Sequence, residues 1–133
     1  MAGDIAFIEG PLRFLLEFAE VDPMGLGVEV KLEVEYVGRS QSLKWTAERL
    51  WLEYEALLRF ETELGDGCEA RLHDMSQYFV LHFERNSAEE YLTINPPSDR
   101  RSQDGDCITV RLKLATGSMH ALYSALSQFG KWW

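Results

Sequence analysis

Residues 28–36, with the sequence VEVKLEVEY, alternate apolar and charged side chains without interruption. A strict period of two is typical of a β-strand that has one dry face and one wet face. A sheet that keeps one face in water is usually antiparallel, because parallel sheets are covered on both faces. The segment therefore predicts an antiparallel sheet whose dry face is covered by the other elements of the chain. The side chains expected on that dry face are Val28, Val30, Leu32, Val34 and Tyr36.

Other segments repeat this alternation over shorter or less regular stretches. Short strands are predicted at residues 5–8, 42–45, 68–72 and 90–94. Turns rich in Gly and Pro separate the strands, and residues 95–106 form the longest predicted loop. In the remaining strands the side chains expected to face the core are Leu12, Phe14, Leu16, Phe18, Phe79, Leu81, Phe83, Ile108, Val110, Leu112 and Leu114.

Two segments show the helical period instead. Residues 46–65 place a wide apolar stripe along one side of a helix, which Thr46 can cap and Gly65 can end. A second helix is predicted at residues 118–130, with Ser118 as its cap. The apolar stripes are Leu50, Trp51, Tyr54, Leu57, Leu58 and Leu64 in the first helix, and Met119, Leu122, Leu126 and Phe129 in the second.

The order of these elements is strands, helix, strands, helix. This order predicts an α+β fold, with a mostly antiparallel β-sheet and two α-helices packed on one face of it. A chain of 133 residues suits a single domain, so one α+β domain is expected over residues 1–133.

The chain is acidic, with 22 Asp and Glu against 13 Lys and Arg and a formal net charge of -9. This balance disfavours nucleic acid as a partner, because phosphates must be neutralised by basic side chains. It favours a basic protein, since opposite charges speed encounter. No apolar run approaches the roughly 20 residues of a membrane span, and the acidic start does not suit a secretory signal, so we expect a cytoplasmic location. The two cysteines, Cys68 and Cys107, are expected to be reduced core residues.

The sequence offers no convincing catalytic or metal-binding pattern. His73 and His82 look close in LHDMSQYFVLHF, but a hairpin turn at residues 74–76 would pair His82 near Cys68. The imidazoles would then lie about 17 Å apart along the strands, which is too far for one metal ion or a shared proton. His120 is expected on the surface, and no G-x-S-x-G elbow is present. We therefore expect no enzymatic activity, no metal site and no cofactor.

The end of the first predicted helix is strongly acidic. Glu61 and Glu63 lie in its last turn and Asp66 follows, where negative charges oppose the helix dipole. Conflicts of this kind are tolerated more readily at functional surfaces, so these residues, together with Glu55, are the predicted partner-binding residues. A solvated helix end, relieved by the spacing of Arg59 and Glu63, remains the alternative.

Apolar side chains also occur at two places where exposure to water is expected. Leu52 falls on the polar side of the first predicted helix, near Ala56, where the two side chains would form a small contact patch. Trp132 and Trp133 follow the second helix, and side chains of this size rarely stay in water. They would either fold back onto the domain or take part in a dimer interface.

The arrangement of elements resembles the WapI-type immunity proteins of bacterial toxin systems. The resemblance covers about residues 26–130. It rests on the long alternating strand, the strand ending in Trp45, the helix ERLWLEYEALLRFETEL, the two later strands, and the strand ITVRLKL before the last helix. Members of that family are small, acidic and cytosolic, and they are thought to neutralise a toxin by binding it rather than by catalysis.

Together with the acidic charge, this resemblance implies a non-catalytic protein-binding protein, namely an immunity protein that neutralises a bacterial toxin through an acidic surface. The implied partner is a basic toxin domain, such as a nuclease domain. The alternative is a structural or assembly protein that forms a homodimer or larger homo-oligomer through the wet sheet face or the Trp tail.

Overall fold

The computed structural model describes residues 3–75, 79–94 and 109–130. Within these ranges the chain forms two four-stranded antiparallel sheets and two helices. Sheet A contains, in spatial order, β1 (Gly3–Glu9), β2 (Leu12–Val21), β3 (Gly27–Val37) and β4 (Ser42–Glu53). Sheet B contains β5 (Glu69–His73), β6 (Phe79–Asn86), β7 (Glu89–Ile94) and β8 (Val110–Leu114). Helix α1 (Tyr54–Asp66) connects the sheets, and α2 (Ser118–Gln128) follows β8.

The predicted α+β class is confirmed, with antiparallel strands and two helices. The strands divide into two sheets, where the alternation had predicted one. The reason lies in the chain order, because each sheet is a run of consecutive hairpins and α1 separates the two runs. The predicted loop at residues 95–106, Cys107, Ile108 and the pair Trp132 and Trp133 lie outside the described residues.

One hydrophobic cluster joins the inner faces of both sheets and the apolar sides of both helices. Burial of this apolar surface is the main force that holds the layers together. The predicted core residues Leu12, Phe14, Leu16 and Phe18 of β2, Val28, Val30, Leu32 and Val34 of β3, and Leu112 and Leu114 of β8 are all buried.

The start of β6 departs from the predicted alternation. Leu81 is buried as predicted, but Phe79 remains partly exposed. The pairing with β5 shifts by one residue between the pairs Leu72–Leu81 and His73–Phe79, so that Val80 becomes the extra residue and is buried. A bulge of this kind reverses the alternation on one of its sides, which is why Phe79 does not face the core.

Residues 46–53 belong to β4, so the predicted start of the first helix at Thr46 is wrong. The segment pairs along its length with β3, whose alternating pattern offers both backbone partners and an apolar face. Pairing and burial outweigh the helix propensity of the segment, which is a weak local preference.

A bulge keeps the apolar side chains of β4 on the inner face. The pairing shifts between the pairs Val30–Leu50 and Leu32–Ala47, and Arg49 takes a left-handed backbone conformation there, with φ 55. The extra residue restores the inward direction of the side chains that follow. Leu52 is consequently fully buried, and the exposed contact patch predicted for Leu52 and Ala56 does not exist, since Ala56 is buried as well.

Helix α1 ends later than predicted. Gly67, rather than Gly65, takes the left-handed conformation that closes the helix, and its N–H donates to the carbonyl of Glu63 at 3.2 Å. Gly65 lies inside the helix, where a Cβ atom would stand 2.8 Å from the ring of Tyr123 in α2. The glycine at position 65 therefore allows close packing of the two helices.

The sequence predicted Ser118 as the cap of helix α2, but the cap comes from sheet B. Glu90 of β7 is 2% exposed, and its carboxylate oxygens accept hydrogen bonds from the N–H groups of Gly117 at 2.6 Å and Met119 at 2.7 Å. The Ser118 hydroxyl instead donates to a carbonyl of the preceding turn. A carboxylate at a helix N-terminus satisfies unpaired N–H groups and interacts favourably with the helix dipole. The helix ends at Gln128, two residues before the predicted boundary.

Candidate functional site

The four predicted partner-binding residues all lie on α1 but do not form one cluster. Glu55 and Asp66 are exposed, whereas Glu61 and Glu63 are half-buried. Glu55 lies in the first turn and Asp66 is the last helical residue. At the usual rise along a helix they stand about 16 Å apart, so they cannot contact the same small group on a partner.

Glu63 has a structural contact within the fold. Its carboxylate accepts a hydrogen bond from the backbone N–H of Arg71 in β5 at 3.0 Å. The ion pair between Arg59 and Glu63, which the sequence offered as relief for the acidic helix end, does not form among the described residues. Glu63 thus ties α1 to sheet B and has only part of its surface available to a partner.

The outward side of α1 carries an apolar residue between two of the predicted carboxylates. Leu58 is 50% exposed, although the sequence had placed it in the buried stripe. Glu55 precedes it by three residues and Glu61 follows it by three, so both are its neighbours on the helix surface. Thr62, one turn further on, donates its hydroxyl to the carbonyl of Leu58 at 3.0 Å. We call Glu55, Leu58, Glu61 and Thr62 the α1 ridge.

The loop between β2 and β3 presents the most exposed apolar side chains near α1. Met24 is 81% exposed and Leu26 is 66% exposed. The sequence DPMGLG had been interpreted only as a turn at residues 22–27. Two large apolar residues within a turn are the signal that would have distinguished this loop from an ordinary polar connection.

This loop contacts the start of α1. The N–H of Tyr54 donates to the carbonyl of Leu26 at 3.2 Å. Between the loop and the helix lies an open depression of about 450 Å³, lined by Gly25, Leu26, Glu53, Tyr54, Glu55 and Met75. Burial, and to a lesser degree the charge of Asp22, raises the pKa of the Tyr54 hydroxyl. Tyr54 therefore stays neutral at physiological pH, and the charge beside the depression is that of the carboxylates.

The histidines lie closer together than the sequence predicted. His82 is paired with Arg71, two residues from His73 along β5, because the strand pairing resumes at Phe79 rather than directly after residue 76, and the bulge in β6 adds one more residue. The Nε2 atom of His82 is 2.6 Å from Oε1 of Glu69, while the His73 ring meets the Phe79 ring edge-on at 4.4 Å. Each imidazole thus has a separate neighbour on the outer face of sheet B.

The environment of His73 disfavours its protonated form. Burial lowers the pKa of His73, and the positive charge of Arg59 lowers it further, although Glu63 acts in the opposite direction.

Among the residues that the structure describes, no three His, Cys, Asp or Glu side chains are arranged to hold a metal ion. His120, at the start of α2, is exposed, with its ring 6.3 Å from that of Tyr123.

Cys68 is a free thiol on the surface, so the prediction that it belongs to the core is wrong. It occupies the short connection between Gly67 and β5, where the inward position is taken by Ala70. Its carbonyl accepts a hydrogen bond from the N–H of Arg85 at 2.8 Å, so its backbone continues the ladder of sheet B.

The outer face of sheet A carries a second open depression, of about 550 Å³, near β1 and β2. Its apolar surface includes Ile8, which is 69% exposed. Ion pairs surround this depression, with Arg13 3.4 Å from Glu35 and Lys44 2.8 Å from Glu33. The hydrogen bond from Lys44 lowers the pKa of Glu33. The charges around this depression are therefore matched within the sheet.

Comparisons with protein-family models, curated proteins and solved structures find no match to this chain. Neither helix in the described ranges has the length and apolar character that crossing a membrane requires.

Proposed function

We propose that this chain is a non-catalytic protein-binding protein, and specifically an immunity protein that neutralises a bacterial toxin. The supporting observation is the α1 ridge, where Leu58 is half exposed between Glu55 and Glu61. An apolar residue with carboxylates around it can combine burial with charge attraction when a protein surface covers it.

The charge of the chain supports a basic partner. The formal net charge is -9, and neither Glu55 nor Asp66 forms an ion pair with a described residue. A toxin that acts on nucleic acid needs a basic surface to hold phosphates, and an acidic protein can cover that surface. A cytoplasmic location is part of this proposal, since the toxin has to be met where it acts.

The proposal predicts that a toxin domain is encoded beside this protein's own gene, and that domain is the probe that tests it. We expect the purified domain to bind the wild-type chain in a calorimetric titration and to lose its toxicity when the two are co-expressed. The variant Leu58→Ser/Glu55→Lys should bind more weakly, because it removes apolar contact and reverses a charge. A wild-type chain that neither binds nor protects would refute the immunity function.

A homo-oligomeric assembly protein is the second candidate, because the exposed Ile8 and the depression on sheet A resemble a contact surface. The matched charges there would let two copies approach without strong repulsion. Size-exclusion chromatography with light scattering distinguishes the candidates. A dimer that survives dilution and is broken by Ile8→Arg favours assembly, whereas a monomer at all concentrations eliminates it.

A further inference from the structure

Hydrogen bonds within the β2–β3 loop favour a conformation that exposes Met24. The N–H of Asp22 donates to the carbonyl of Gly27 at 2.9 Å, and the N–H of Gly25 donates to the carbonyl of Asp22 at 2.8 Å. The Asp22 side chain closes the turn from within, since its Oδ1 accepts the N–H of Met24 at 3.2 Å. Gly25 has φ 75, which a residue with a side chain rarely adopts. The loop is therefore preorganised, and a partner would not have to order it.

The loop and the depression beside it offer complementary apolar features. Met24 projects from the surface, while Leu26 lines the depression of about 450 Å³ together with Tyr54 and Met75. Methionine adapts its shape to different partners because it is unbranched and polarizable. A partner can thus cover Met24 and place an apolar side chain of its own in the depression.

The charge around this surface is negative and is not matched within the described part of the chain. Among the residues that the structure describes, the depression is lined by the carboxylates of Glu53 and Glu55 and by no Lys or Arg. Neither of them, nor Asp22, forms an ion pair with a described residue. Such carboxylates attract a basic group and repel an acidic one.

We infer that the β2–β3 loop and the first turn of α1 form a docking surface for a basic segment of another protein, with an apolar side chain of that segment seated in the depression. A second copy of this chain does not suit the surface, because the carboxylates of the two copies would repel each other around the depression. This docking surface shares Glu55 with the α1 ridge of the proposed function, and it specifies which partner chemistry binds at that end of the ridge. It rests on the proposed function only in taking the partner to be a protein.

The sheet A depression shows why charge decides the occupant. It is also apolar, but Arg13, Lys44 and the two carboxylates around them are already paired with one another. A basic segment would gain little there, because its charges would compete with existing ion pairs. The two surfaces therefore provide an internal comparison in the same molecule.

The test uses the full chain labelled with ¹⁵N and two blocked hexapeptides, one alternating lysine with leucine and the other alternating glutamate with leucine. We expect the lysine peptide to shift the amide resonances of residues 22–27 and 53–55, and the glutamate peptide to leave them unchanged. Three results would overturn the inference: no shifts with the lysine peptide, equal shifts with both peptides, or shifts centred on β1 and β2.

The variant Met24→Ser/Leu26→Ser should bind the lysine peptide about tenfold more weakly, since two apolar contacts are lost. Ile8→Ser removes an equally exposed apolar side chain from sheet A and should leave the affinity unchanged. Equal affinities for the double variant and the wild type would contradict the inference. This titration does not involve the toxin, so failure of the docking surface and failure of the immunity function give separate results.

Discussion

Glu90 is a buried carboxylate that joins sheet B to the start of α2. Its two oxygens accept the N–H groups of Gly117 and Met119, and its side chain is almost wholly removed from solvent. No local pattern indicates this role, because Glu90 lies 28 residues before Ser118 and its neighbour Glu89 is chemically identical. Only the pairing of β7 with β8 brings it to the helix end.

We predict that Glu90→Gln lowers the free energy of unfolding by about 1–3 kcal/mol, because the amide keeps one acceptor oxygen and turns an N–H₂ group toward the other donor. Urea denaturation measures the change. Glu20→Gln, on an exposed position of β2, is the matched control and should differ from the wild type by less than about 0.5 kcal/mol. Equal stability of the two variants would mean that Glu90 does not cap α2.

The stability of the protein should depend on pH through His73. Burial, and then the charge of Arg59, lowers the pKa of His73 in the folded state below its unfolded value of about 6.5. As the pH falls below that value, the unfolded chain binds the proton more readily, so the free energy of unfolding decreases until the folded-state pKa is passed. In His73→Gln this contribution is absent. Urea denaturation between about pH 7 and about pH 5 should show the wild type losing stability relative to the variant, and a constant difference would contradict this assignment.

At the scale of elements, β4 shows where local pattern and tertiary structure conflict. TAERLWLE fits a helical stripe by spacing, yet the same residues alternate well enough, once a bulge at Arg49 is included, to line the inner face of sheet A. A periodicity argument cannot anticipate a bulge, since a single inserted residue changes which side chains face inward. The true helix, α1, is consequently shorter and begins at Tyr54.

Leu52 distinguishes the two interpretations experimentally. In the strand it is fully buried, so Leu52→Ala should lower the free energy of unfolding by about 2–5 kcal/mol. In a helix that began at Thr46 it would lie on the wet side and the substitution would cost little. Leu58→Ala is the control, because Leu58 is half exposed, and its effect in the same denaturation experiment should be much smaller. Similar effects for both variants would contradict the β4 assignment.

The elements with strict alternation could be predicted, and the candidate site could be predicted only in part. β2 keeps a period of two over residues 12–18 and β3 over residues 28–34, so their buried residues followed from the sequence. Glu55 was identified from charge alone, but Leu26, which lines the same depression, was not, because the two are distant in the chain and are brought together by the contact of Leu26 with Tyr54. The division into two sheets also depended on contacts between distant segments, which a local pattern does not contain.

At the scale of the whole molecule, the acidic charge is distributed unevenly. On the outer faces of both sheets, Glu and Lys or Arg form cross-strand ion pairs, such as Lys44 with Glu33 and Lys113 with Glu89. Exposed pairs of this kind contribute little to stability, but they offset part of the negative charge on those faces. The carboxylates of Asp22, Glu53 and Glu55, in the β2–β3 loop and at the start of α1, have no such partners among the described residues, so they add to the field that meets an approaching basic protein there.

The affinity for a basic partner should accordingly fall as salt is added. We expect the association rate with the toxin domain to decrease between low and physiological ionic strength, because salt screens the exposed carboxylates. The variant Glu53→Gln/Glu55→Gln should show a weaker dependence on salt. Glu33→Gln/Glu35→Gln, which alters carboxylates of matched ion pairs, is the control in the same stopped-flow measurement. Identical salt dependence in the wild type and Glu53→Gln/Glu55→Gln would place the binding surface elsewhere.

Hydrogen exchange of the chain alone and in complex with the toxin domain tests the central claim most directly, because it reports which backbone amides the partner covers. We predict that added protection is concentrated in residues 22–27 and in the first two turns of α1, while β1 and the outer face of sheet A exchange as in the unbound protein. Protection confined to β1 and β2, with the loop and α1 unchanged, would contradict the claim that an acidic and apolar surface at the start of α1 receives the partner.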